Sequence, residues 1–139
     1  MAIDWSQLVT AEQKAAEMRA QLEASVTAER DRRIDLNMEF DGVAYQMRAT
    51  DRENILGTAQ LAFMAVMGGA ADGDYRWASP DVDFEWIAAD NTRVKMDAPT
   101  MIDFGKAVAA KKDLLIKRAR TLKDMDVIPA DFADDKWWS

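Results

Sequence analysis

Apolar residues recur at helical spacing in three stretches of the chain and alternate in two others. Residues 11–33 are rich in Ala, Glu, Gln and Arg and contain no Gly or Pro, so they predict a long helix. Thr10 followed by Gln13 has the form of a capping box at its start. Ahead of it, Ile3, Trp5, Leu8 and Val9 read as an extended apolar arm. The helix has only a thin stripe of Ala15, Met18, Leu22 and Val26 to bury. Either another chain completes that stripe, or the helix lies on its own domain.

Two hairpin-and-helix units follow. Residues 38–47 turn at Asp41-Gly42, a pair that tolerates the positive φ of a tight hairpin, with Phe40, Val43, Tyr45 and Met47 as the apolar members. Thr50 and Glu53 repeat the capping pattern before a helix that stops at Gly68-Gly69. Ile55, Ala59, Ala62 and Val66 form its stripe, with Leu56 and Phe63 beside it. Gly57 inside this helix implies either a close helix crossing or tolerated drift. In residues 82–96, Val82, Phe84, Trp86 and Ala88 alternate on one strand and Thr92, Val94 and Met96 on the next, around Asp90-Asn91. Asp83 and Glu85 oppose Arg93 and Lys95 on the other face, an arrangement of cross-strand ion pairs. Asp97 caps a last helix reaching about Asp124, with Met101, Phe104, Val108, Leu115, Ala119 and Leu122 on its core side. The order predicts an α+β fold: a long N-terminal helix, two β-hairpin-plus-helix units with a small antiparallel sheet packed by helices, and an aromatic C-terminal tail. The boundaries read as 1–33 for arm and helix, 34–125 for the globular domain and 126–139 for the tail.

Composition narrows the chemistry. The 139 residues contain no Cys and no His, which removes thiolate nucleophiles, His-dependent triads and the usual zinc ligand sets. A non-enzymatic protein without metal or cofactor is the resulting expectation. A net charge of −7 argues against general nucleic-acid or anionic-membrane binding. No apolar run reaches spanning length, and the start "MAIDWSQLVT" has no signal-peptide form, which suggests synthesis in the cytoplasm. The acidic clusters at residues 72–74, 81–85 and 131–135 lack calcium-loop spacing and read as solvated surface. Lys106, Lys111, Lys112, Lys117, Arg118, Arg120 and Lys123 make the last helix basic, suited to contacting acidic segments and to its own C-terminal dipole.

The ending "DFADDKWWS" places Phe132, Trp137 and Trp138 among aspartates. Such a tail either folds back or docks on a partner, and tryptophan favours the docking reading. Pro129 is read as uncoupling it from the last helix. The candidate docking residues are therefore Trp5, Leu8, Met18, Leu22, Val26, Phe132, Trp137 and Trp138.

The stretches "GVAYQMRATDRENILGTAQLAFMAV" and "WIAADNTRVKMDAPTMIDFGKAVAAKKDLLIKRARTL" resemble a phage-encoded domain of unknown function found in tail-fibre-assembly-like and other small phage tail proteins. The matching residues are Thr50, Asp51, Asn54, Ile55, Gly57, Trp86, Asp90, Asn91, Val94, Met96, Asp97 and Ala98, and the likeness spans roughly residues 28–123. Members often carry His near the positions of Lys111 and Lys112, which this chain lacks, and no catalytic site is carried over. The resemblance implies a structural adaptor of a tail fibre or baseplate, made in the host cytoplasm and located in the virion tail. Its partners would be other tail proteins, with self-association up to a trimer left open. The alternative it implies is a fibre-assembly chaperone that leaves the particle. A carbohydrate-contacting tip protein, with Trp77 and Trp86 stacking on sugar rings, is a weaker third reading.

Overall fold

Asp4 starts the first helix. Its carboxylate accepts hydrogen bonds from the Ser6 amide at 3.1 Å and the Gln7 amide at 3.3 Å, occupying donors that a helix N-terminus leaves unpaired. Helix α1 therefore spans Trp5–Ile34, and residues 5–10 of the stretch read as an extended arm are helical. Thr10, read as the cap, lies inside the helix and donates to the Ser6 carbonyl at 2.8 Å. The computed structural model describes residues 4–139; Ile3 and the side chain of Val9 lie outside the described residues.

The elements that follow are β1 (Met38–Phe40), β2 (Val43–Tyr45), α2 (Ala49–Met67), β3 (Glu85–Ile87), β4 (Arg93–Lys95), α3 (Ala98–Lys123) and a closing 3-10 turn, Asp135–Trp137. The fold is α+β, as the pattern predicts. The strands form two separate antiparallel pairs, β1–β2 and β3–β4, not one continuous sheet. A backbone hydrogen bond from the Ala89 amide to the Ala44 carbonyl, 2.9 Å, links the hairpins.

The chain divides into two compact units, one of Arg33–Leu114 and one formed by the described residues up to Arg32 with Leu115–Ser139. In the first, both hairpin turns depend on residues that accept positive φ. Asp41 and Gly42 do so together (φ 50° and 79°), whereas the second hairpin closes through residues 89–91 with Asn91 alone at 69°. Phe104 of α3 is the hub of this unit. Its ring stacks on Phe40 at 5.0 Å, lies 4.7 Å from Tyr45 and meets Trp86 edge-on at 6.1 Å, so one buried side chain joins both hairpins to α3. Tyr45, Met47, Ile55, Met96 and Met101 complete the core around it.

In this unit side chains set the helix starts and a glycine turn sets the end of α2. Thr50 does not cap α2; Arg48 precedes the helix, and Asp51 accepts from its backbone amide at 3.0 Å and its Nε at 2.8 Å. At the other end Gly69 takes φ 106° and its amide donates to Val66, while the Ala70 amide donates to Ala65, a Schellman ending. Asp97 caps α3 as expected, accepting from the Thr100 amide at 2.8 Å, and also holds the Gly73 amide at 2.9 Å. The close helix crossing belongs to Gly105: a Cβ there would stand 2.5 Å from the Ala59 Cβ, whereas one at Gly57 would meet nothing.

The second unit holds the start of α1 and the end of α3. Val26, Leu115, Ala119, Leu122, Ile128 and Trp138 are its buried apolar residues. Arg19 of α1 donates to the carbonyls of Lys123 at 2.6 Å, a group that the C-terminus of α3 leaves unpaired, and of Met125 at 2.7 Å and Asp126 at 2.9 Å in the segment just beyond the helix. Lys123 also donates to Thr27. The segment read as uncoupled by Pro129 is thus fixed on both sides of that residue, because Ile128 is buried and the tail beyond it folds back.

Candidate functional site

The tail and the N-terminal helix, both proposed from sequence as docking elements, differ in structure. Trp138 is only 3% exposed and its Nε1 donates to the Phe132 carbonyl at 2.7 Å. Trp137 is half-buried and donates to Asp131 at 3.1 Å. Lys136 pairs with the same carboxylate at 2.8 Å, and these two side-chain bonds, Lys136 first, hold Asp131 below the ordinary carboxylate pKa. Phe132 is half-buried as well. The expectation of a tail exposed in the free chain is therefore corrected: each indole N–H has a partner and the distal ring is interior. Val26, also 0% exposed, belongs to the same unit's core, so the chain itself covers this part of the stripe; Leu22 is half-buried.

Trp5, Leu8 and Met18 remain on the surface, with Trp5 at 65% and Met18 at 64%. Every described side chain from Asp4 to Met18 is exposed. A single helix in water is marginal without tertiary cover, so these turns gain little from their own chain.

A second apolar surface was not anticipated. Leu56 and Phe63, read as core neighbours, are exposed together with Leu61, Met64 and Met67. They share the outward side of α2, while Ile55 and Ala62 face the core. Sequence pattern missed this because α2 is apolar nearly all round, and periodicity does not say which side is covered.

One cleft, of about 390 Å³, is lined by Gln46, Asp51, Glu85, Trp86, Ile87 and Asn91. Its carboxylates are engaged. Asp51 is hydrogen-bonded by the Arg48 side chain, which holds its carboxyl below the ordinary value. Glu85 lies 3.7 Å from Arg93. Acid–base work on a glycosidic bond needs a carboxyl that keeps its proton near neutrality, and Asp51 is held the opposite way. Trp77 and Trp86, candidates for sugar stacking, are half-buried, with Trp77 donating to the Met96 carbonyl at 3.0 Å and Trp86 against Phe104. The predicted ion pairs on this hairpin form, Asp83 with Lys95 at 3.0 Å and Glu85 with Arg93 at 3.7 Å; Asp83 also meets Arg76 at 3.2 Å, a pair not read from the sequence.

The basic side of α3 serves the fold at Lys111. Its ammonium donates to the Leu36 carbonyl at 2.8 Å, beyond the end of α1; burial, then the nearby Arg52, pushes its pKa down. Arg52 reaches the Met47 carbonyl at 2.6 Å and Asp35 at 2.7 Å. Among the described residues no group of three acidic side chains is arranged to hold a metal ion, and no helix is long and apolar enough to cross a membrane.

The order of hairpin, helix, Trp-bearing hairpin and long helix runs through one continuous match. The family described as Domain of unknown function (DUF4376) matches residues 17–136. The chain belongs to the DUF4376 family. Its exposed first helical turns, with Trp5 and Leu8, precede the matched segment, Met18 and the tail as far as Lys136 lie within it, and Trp137 and Trp138 follow it. No curated protein and no solved structure matches the chain.

Proposed function

We propose that this DUF4376 chain is a non-enzymatic structural adaptor of a phage tail, in the fibre or baseplate apparatus, and that it docks neighbouring tail proteins through the exposed half of α1. The observation that carries the docking role is that every described side chain from Asp4 to Met18 is exposed, with Trp5, Leu8 and Met18 among them. Large apolar side chains held on a preformed helix suit a helix-in-groove contact. Trp5 and Leu8 precede the family match, which suits a common module carrying its own docking helix. The tail context rests on the sequence resemblance. Trp138 takes no part in this docking, because it is interior.

The test is the protein composition of purified particles of the encoding phage. A structural adaptor appears at a fixed number of copies per tail. Absence from finished particles, with accumulation on fibre subunits in infected cells, would replace this reading with the assembly chaperone.

A further inference from the structure

We propose that the outward face of α2 is the interface of a two-fold homodimer, in which α2 packs antiparallel on α2 of a second copy. Leu56, Leu61, Phe63, Met64 and Met67 are 44–73% exposed. At roughly 200 Å² per large side chain they offer about 600 Å² of apolar surface per copy, so a symmetric pair covers about 1,200 Å², the lower bound for a stable specific interface.

Charge favours a second copy as the occupant. The chain carries a net −7, yet residues 54–71 contain no charged residue. A charged partner segment finds nothing to pair with here, while two acidic copies meet on a side where neither repels the other. Glu53, the last charge before this stretch, also selects the orientation. In a parallel pair it faces its own copy. In an antiparallel pair centred on Gln60, it lies beside the partner's Met67, and the two carboxylates are about 21 Å apart along the axis, beyond the screening length. Gln60 at the centre is self-complementary, since an amide both donates and accepts. Gly57 lies on the same face with open space where a Cβ would stand. A second backbone approaching there accounts for a glycine that packing within the chain does not explain. This dimer is independent of the tail context and of α1.

The experiment is sedimentation equilibrium of the full chain at tens of micromolar. The expected mass is twice the 15.6 kDa of one chain. The double variant Leu61→Glu with Met64→Glu is expected at the single-chain mass with an unchanged circular dichroism spectrum. Because the chain has no Cys, Gln60→Cys should give one oxidised band at doubled mass, which tests the geometry even if the double variant misfolds. A single-chain mass for the wild type, a trimer, or a dimer that survives the double variant without the Gln60→Cys cross-link would overturn the proposal.

Discussion

Tryptophan stands near both ends of the chain, and the two ends treat it differently. Trp138 is enclosed, with its indole N–H bonded to the Phe132 carbonyl, whereas Trp5 lies on a helical turn with 65% of its surface exposed. The difference comes from what each segment meets. The chain after α3 is held by Arg19, which takes up the Lys123 carbonyl at the helix end and the Met125 carbonyl beyond it, and by the buried Ile128. The start of α1 has its cap, Asp4, but its described side chains through Met18 are all exposed. An aromatic residue at a terminus thus says little by itself. The backbone and side-chain partners around it decide whether it belongs to the fold or to a surface.

The largest expected effect follows from removing the interior end. Trp138→Ala, or deletion of residues 136–139, should cost about 3–5 kcal/mol, the range for truncating a buried aromatic. A thermal melt should fall by roughly ten degrees or more. A melt unchanged within error would show that the ring contributes nothing to the core. Next is Arg19→Ala, which leaves the carbonyls of Lys123, Met125 and Asp126, at and just beyond the end of α3, without this donor. Hydrogen bonds from a charged group set the scale at about 2 kcal/mol, read as a lower urea midpoint. Arg19→Lys should recover little, because a point charge cannot span the three oxygens.

A smaller effect comes from acid. Burial alone pushes the Asp97 carboxyl up, but the hydrogen bonds from Gly73 and Thr100 outweigh it, and the net pKa lies below the ordinary 3.8. The unfolded chain therefore takes up this proton at higher pH than the folded one. Stability from Asp97 is present above pH 3.8 and is lost as pH falls through the depressed folded value. Asp97→Asn should flatten that part of the pH–stability curve while keeping an acceptor for the cap; an unaltered acid limb would show that Asp97 does not shape it.

Local signals made much of the fold legible. Asp41-Gly42 named its turn, Gly68-Gly69 ended α2, and Asp97 capped α3. Two capping patterns misled, because Thr followed three residues later by Gln or Glu also occurs inside helices. The real start of α1 was visible at Asp4, whose carboxylate is the stronger acceptor, but the apolar residues after it drew attention to an arm. Arg48 carries no cap signal of its own; Asp51 does the capping from within the first turn. Contacts across long separations were not legible. Arg19 reaches Asp126 over more than a hundred positions, and nothing near Trp138 in sequence announces that it is interior. The outward side of α2 escaped for a different reason: both sides are apolar, and which one the hairpins and α3 cover is a property of the packed unit.

The smallest expected effect on stability is at the exposed end, where Trp5→Ala, Leu8→Ala and Met18→Ala together should move the melt little, each surface change lying within about 0.5 kcal/mol. The same triple variant tests the central claim, that the start of α1 is surface kept for a partner. Under the proposed tail role, the measurement is the number of copies per purified phage particle when the variant replaces the wild-type chain. The expected result is a folded protein with a near wild-type melt that is lost from particles. Incorporation at the wild-type copy number would contradict it.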